Sequence, residues 1–238
     1  GVPHRGRLWA GGGTVNDPAK GPILVINPNS SEVVTEGLRE ALAGFRFAGA
    51  PPIECMTIEH GPPGVVTQRH VDEAALHTAA VIENRPDAAA YVLACYSQPG
   101  LDLARSITAR PVYGIQDAGV LTALAHADMF GVIAVAQASI PRHLRNLRRL
   151  GVDQRLAGEV ALEGEVSVAE SGHGEESYGL LLQAAHKLKA MGAGAIVLGC
   201  AGMSGHRQRL ESETGCAVID PTQAAVAMAF GKLATQTP

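Results

Sequence analysis

Tyr91-Val92-Leu93-Ala94-Cys95-Tyr96-Ser97-Gln98-Pro99-Gly100-Leu101 is an apolar run that ends on a cysteine and passes at once into a turn and a helical pattern. A near copy stands downstream at Ala195-Ile196-Val197-Leu198-Gly199-Cys200-Ala201-Gly202-Met203. A short continuous apolar run bounded by turn residues reads as a buried strand of a parallel sheet. Two equivalent strands that each end on a thiol suggest a chemistry that needs two alike groups.

Outward from these strands the chain alternates strand and helix. Ile23-Leu24-Val25-Ile26 is stopped by Asn27-Pro28-Asn29-Ser30, and Val33, Val34, Leu38, Leu42 and Phe45 then recur at helical spacing. A strand over Ile53 to Ile58, a Gly61-Pro62-Pro63-Gly64 loop and a helix from Val66 to Asn84 lead to the Cys95 strand, followed by a helix from Leu101 to Thr108 and a strand from Pro111 to Ile115. From Asp117 the pattern starts over: a helix through Leu121 and Leu124, the strand Gly131 to Val135, a basic helix with Arg142, Arg145, Arg148 and Arg149 read as a solvated face, and a strand near Glu159 to Leu162. Glu163 to Glu176, rich in Gly, Ser and acid, reads as an exposed loop before a helix from Ser177 to Met191. The step from Cys95 to Cys200 is 105 residues and that from Val112 to Val218 is 106. The fold expected is α/β, with two pseudo-symmetric, Rossmann-like lobes whose parallel sheets face a central cleft. Residues 1–20 form a leader, residues 21–116 plus 216–238 the first lobe, and residues 117–215 the second, the last strand and helix crossing back.

Composition narrows the function. Of 238 residues 46% are hydrophobic, 18% charged and 4% aromatic, with a formal net charge of −4, which argues for a small-molecule partner and against nucleic acid or an anionic membrane. No apolar run approaches the roughly 20 residues of a membrane-spanning helix, and no secretory signal is visible, so the expected compartment is cytoplasmic. The four cysteines lack C-x-x-C spacing and read as thiols, with Cys55 and Cys216 as small buried hydrophobes. No His-Glu-x-x-His, Gly-x-Gly-x-x-Gly or phosphate-loop pattern implies a metal or nucleotide, and no cofactor is expected.

A thiol with a reference pKa of about 8.5 is poised near neutrality once backbone dipoles act on it. Cys95 and Cys200 each precede a helix start, where amide groups favour an anion. One thiolate and one thiol on opposite walls of a cleft could remove a proton from one face of a carbon and return one to the other, inverting a stereocentre. The amides of Tyr96, Ser97 and Gln98 and of Ala201, Gly202 and Met203 are candidates to hold a carbonyl or carboxylate as it takes on enolate charge. Gln137, beyond the Gly131 strand, is a further candidate for substrate binding.

Asn27-Pro28-Asn29-Ser30, Ala94-Cys95 with Pro99-Gly100-Leu101, Leu198-Gly199-Cys200-Ala201-Gly202-Met203 and the late Asp220-Pro221 together resemble the hydantoin racemase branch of the aspartate/glutamate racemase superfamily. The resemblance covers about residues 22 to 232. It implies cofactor-independent catalysis with Cys95 and Cys200 as acid and base, a substrate contact from Asn27 and an even-numbered homo-oligomer. Hydantoin racemases commonly carry Gly-Asp where this chain has Ser97-Gln98, and Ser-Ile-Glu where it has Gly64-Val65-Val66, so substrate choice is expected to turn on these positions. Amino-acid racemases of the superfamily usually carry Asn-Thr and Thr-His after their cysteines, unlike Tyr96-Ser97 and Ala201-Gly202, which favours a 5-substituted hydantoin or allantoin as substrate. The alternatives are an aspartate or glutamate racemase, a maleate isomerase and, outside enzymes, a solute-binding or metal-binding two-lobed protein. An arylmalonate decarboxylase would lack the first cysteine. Among the histidines, His60 beside the Gly61-Pro62 loop has the better claim to a pocket, and His206 reads as an exposed helix residue.

Overall fold

The structure, a computed structural model, describes residues 21–164 and 166–235; the leader expected over residues 1–20 lies outside them. Two four-stranded parallel sheets carry the chain. The first is built from β1 (Ile23–Asn27), β2 (Ile53–Thr57), β3 (Ala90–Leu93) and β4 (Val112–Gly114). Its helices are α1 (Glu32–Ala41), α2 (Gln68–Asn84), α3 (Leu101–Ile107) and α4 (Ile115–His126). The second comprises β5 (Phe130–Ala134), β6 (Leu156–Ala161), β7 (Ala195–Leu198) and β8 (Ala217–Ile219), with α5 (Ile140–Leu150), α6 (Glu175–Ala190), α7 (Arg207–Thr214) and α8 (Pro221–Ala234). The strand orders, β2-β1-β3-β4 and β6-β5-β7-β8, are the same, so the expected duplication is present strand for strand.

The central strands are buried throughout: every residue of β1, β3, β5 and β7 is inaccessible, while β2 and β6 at the edges are only partly covered. This is why the central strands read as unbroken apolar runs rather than as alternation. Register aligns Leu93 with Ile26 and Leu198 with Ile133, so the strands carrying the two cysteines end level with their neighbours.

One expectation is corrected. The last strand does not rejoin the first half: β8 pairs with β7, Val218 opposite Ile196. Only the helix crosses over, α8 packing on β1, β3 and β4, while α4 of the first half packs on β7 and β8. The two helices also pack on each other, and one apolar cluster runs from Val25 and Val92 through Val120 and Val226 to Val132 and Val197. The sequence does not distinguish the two packings, because α8 is apolar on more than one side and its face is chosen by the sheet it meets.

Helix starts follow local chemistry. Asp220 caps α8, its Oδ1 accepting from the Thr222 and Gln223 amides at 2.8 and 3.1 Å, with Pro221 as the first helical residue. The matching residue ahead of α4 is Gly114, which has no side chain to offer. No helix among the described residues is long and apolar enough to cross a membrane.

Gly119 marks the closest approach of the exchanged helices, since a Cβ there would stand 2.8 Å from Pro221 Cβ and 3.0 Å from Val197 Cγ1. Gly179 in α6 faces open space. Alanine is favoured over glycine in a helix by about 1 kcal/mol, whereas overpacking a core costs about 1–3 kcal/mol. Gly179→Ala should therefore raise the melting temperature and Gly119→Ala should lower it; a rise in both by calorimetry would refute this account of the α4–α8 contact.

Candidate active site

The loops leaving β1, β3, β5 and β7 meet at the carboxyl ends of both sheets around a cavity of about 50 Å³, room for a few water molecules. Cys95 and Cys200 both line it. The remaining wall is contributed in matched fashion by the two halves. Val65 and Val66 come from the loop after β2, and Val168 comes from the loop after β6. Asn29 and Val34 follow β1, as Val135 and Ala136 follow β5. No Lys, Arg, Asp or Glu faces this cavity among the described residues.

Each thiol is held by local backbone. Cys200 opens a 3-10 turn (Ala201–His206), and its Sγ accepts from the Gly202 amide at 3.3 Å. Cys95 lies in a turn well ahead of α3, so the helix-start dipole expected there is replaced by the amides of Ser97 and Gln98. The expectation of thiols poised near neutrality is corrected too. Burial pushes Cys95 up to about 12, opposed by the Ser97 amide and the Arg142 guanidinium and reinforced by the charge of Cys200. Burial likewise pushes Cys200 up to about 11, against the Gly202 amide and the Ser171 hydroxyl. In the ligand-free protein the apolar wall outweighs the dipoles.

Of the other residues expected at the site, Tyr96, Ser97 and Ala201 line the cavity and five do not. Asn27 is fully buried, and its amide nitrogen faces Asn29 Oδ1, Ser31 O and Thr35 Oγ1 at 3.0–3.1 Å. It shapes the turn that presents Asn29. Gln98 reaches the other way: its Oε1 accepts from the Asp117 amide at 2.8 Å and its Nε2 donates to Asp117 Oδ1 at 2.9 Å. It thereby supplies α4 with the cap that Gly114 lacks, and it adopts φ +50° to do so. Gln137 is exposed, and Met203 is buried in the second apolar cluster. Gly202 lies behind Cys200, on an adjoining cavity of about 390 Å³ that shares Val34 and Ala201 with the first.

The loop over Glu163 to Glu176 is exposed along most of its described length, as expected, but it dips into the fold at one point. Ser171 and Gly172 are buried, and Val168 reaches the cavity. A Cβ on Gly202 would stand 2.3 Å from Val168 O, so a bare backbone after Cys200 is what lets this loop close on it. His60 is exposed and off the cavity, and His206 is not exposed but tilted against Tyr178 at 5.4 Å.

Sequence reading missed the first turns of α5. Arg142, grouped above with a solvated face, is buried, and its guanidinium donates to Val66 O at 2.8 Å, Ser139 Oγ at 3.1 Å and Ser97 Oγ at 3.5 Å. It joins loops of both halves beside Cys95, while Arg145, Arg148 and Arg149 do point to solvent. His143 lines the cavity, stands edge-on to the Tyr96 ring at 4.8 Å and bonds Glu159 Oε1 through Nδ1 at 2.5 Å, both side chains almost wholly buried. The only sequence signal was a histidine and an arginine on the side of α5 that also carries Leu147. No group of three or more His, Cys, Asp or Glu is placed to hold a metal among the described residues.

Comparison with known proteins gives the family. The model of the Asp/Glu/hydantoin racemase family matches residues 23–229. A hydantoin racemase of Paenarthrobacter aurescens is 37% identical over 218 residues, covering 87% of this chain and 89% of that protein. One from Rhizobium meliloti is 35% identical over 230 residues, covering 87% and 86%. The solved structure of an allantoin racemase from Klebsiella pneumoniae superposes with a TM-score of 0.83 at 29% identity, over 90% of this chain and 88% of that one. With the duplicated fold, the shared cavity and these relatives in place, the chain belongs to the Asp/Glu/hydantoin racemase family and is an isomerase of the racemase type.

Proposed function

We propose that this protein racemises a 5-substituted hydantoin or a related cyclic ureide such as allantoin, with Cys95 and Cys200 as the two proton-transfer groups. The observation that carries the reading is that both thiols open into one cavity with five valines and no Lys, Arg, Asp or Glu in its wall. A free aspartate or glutamate would bring two carboxylates and an ammonium into that wall, and unpaired charges are strongly disfavoured there. Arg142, the nearest buried cation, already serves four oxygen atoms of the protein. A neutral ring avoids the problem, and the relatives named above act on such rings by name.

In this mechanism one thiolate removes the proton at the ring carbon while the facing thiol delivers another from the opposite side, and no cofactor takes part. The Gln98 and Met203 amides already bond Cys95 O and Cys200 O, and the Gly202 amide bonds Cys200 Sγ. The amides of Tyr96 and Ala201, each next to a cysteine, are thus first in line to meet the enolate oxygen, a well-placed donor being worth about 3 kcal/mol of barrier. The adjoining cavity of about 390 Å³ gives the 5-substituent somewhere to lie. Protonated thiols set the main difficulty. With Cys200 near 11, about one thiol in 10⁴ is ionised at pH 7, equivalent to about 5 kcal/mol.

Enantiopure 5-substituted hydantoin in D₂O should lose optical rotation as deuterium enters the stereocentre. Cys95→Ser should block exchange from one enantiomer and Cys200→Ser from the other, each with at least a 10³-fold loss of racemisation; single variants that racemise at the wild-type rate would sink the mechanism. The raised thiols predict a second result, in the ligand-free protein. Thiolate, the reactive form, increases as pH rises toward the thiol pKa, so iodoacetamide labelling of Cys95 and Cys200, followed peptide by peptide in a mass spectrometer, should still climb between pH 9 and 10. A plateau below pH 8 would show that the dipoles prevail over burial.

A further inference from the structure

Outside the cysteines, the cavity wall contains two titratable side chains whose bonding is incomplete, Tyr96, whose hydroxyl is buried without a partner, and His143. His143 sits in the second turn of α5 with its ring in the wall. Whichever way the proton is shared, the 2.5 Å contact between Nδ1 and Glu159 Oε1 commits that nitrogen. Tyr96 packs edge-on to the ring at 4.8 Å, fixing its plane from the side of Cys95. Glu159 comes from β6, whose partner β5 leads into the turn before α5, so two neighbouring strands of one sheet set the ring's place. What remains of the imidazole is Nε2, for which the described protein supplies no hydrogen-bond partner. It joins Asn29, Tyr96, Ser97 and Ser139 as a polar group on a cavity whose wall is otherwise largely valine and alanine, and in such a cavity the few polar groups decide how a ligand lies.

We propose that His143 is the group that reads the imide edge of a cyclic ureide, Nε2 hydrogen-bonding its ring carbonyl or ring N–H, and that Glu159 is a positioning residue that holds the ring for this contact. This rests on the function proposed above and adds a specificity determinant to it. An imide edge offers a donor and an acceptor side by side, so it satisfies Nε2 in either protonation state, whereas an aliphatic 5-substituent satisfies it in neither. The same contact orients the ring carbon with respect to the two thiols.

Asparagine and glutamine separate the two nitrogens, because an asparagine amide reaches about where Nδ1 stands and a glutamine amide about where Nε2 stands. Binding of unsubstituted hydantoin, which has no stereocentre to invert, is measured by calorimetry on wild type, His143→Asn and His143→Gln. Ligand reading predicts about tenfold weaker binding for His143→Asn and a Kd within about threefold of wild type for His143→Gln. A purely structural histidine predicts the reverse order, since only asparagine keeps the Glu159 contact. The reverse order, or equal Kd in all three, overturns the proposal. If either variant fails to fold, nitrogen NMR of the wild type decides: hydantoin should move the His143 Nε2 resonance and leave Nδ1 nearly in place, and an unmoved Nε2 rejects the contact. A wild type that neither binds hydantoin nor racemises its 5-substituted forms removes the functional reading itself; a wild type that does both while His143 ranks the wrong way removes only the role of this residue.

Discussion

The exchange of a helix between two like sheets is the constraint on which the rest of the structure depends. Because α4 leaves the first sheet to cover β7 and β8, and α8 leaves the second to cover β1, β3 and β4, neither half can close its core without the other. The carboxyl ends of the central strands are thereby fixed with respect to one another, and with them the residues that follow β3 and β7. Gly119 permits the contact, Asp220 starts one helix, and Gln98 starts the other from a distance. The residue next to the cavity on the Cys95 side is therefore tied to the same packing that orders the core.

The site that results is, on the proposed mechanism, built against its chemistry in the resting state. Burial between the two halves pushes the thiols well above their ordinary range, while a few amides and the Arg142 guanidinium pull back without prevailing. Such a cavity disfavours ions and accepts neutral polar rings. An enolate formed within it would meet preset dipoles in a dry environment, where each hydrogen bond counts for more than in water. The proposed chemistry would thus be favoured at the moment charge develops on the substrate rather than beforehand, which is where binding energy does most for rate.

Much of the fold was legible because burial writes itself into residue type. The runs ending at Asn27, Cys95 and Cys200 were apolar because their strands are covered on both faces, and the repeat spacing told the two halves apart. The crossing of α8 without β8 was not legible, since pairing of a three-residue strand leaves almost no pattern. Adjacency to strand ends was enough to place Cys95, Tyr96, Ser97, Cys200 and Ala201 on the cavity. Asn27 and Gln98 lie off the cavity, because their side chains turn back to shape the backbone and nothing in a linear pattern gives that direction. Arg142 and His143 were missed for the opposite reason: charge on a helix reads as surface, and only the loops after β2 and β3 folding over α5 make that face an interior.

The central claim is that two groups on opposite walls share one proton transfer. The most direct measurement follows the label when enantiopure 5-substituted hydantoin carrying deuterium at its stereocentre is converted in ordinary water and stopped after a few per cent of reaction. Two facing thiols predict that the new enantiomer carries protium from its first appearance while the unreacted enantiomer keeps its deuterium. Deuterium retained in the new enantiomer would mean that a single group removes and returns the same proton, and would contradict the account.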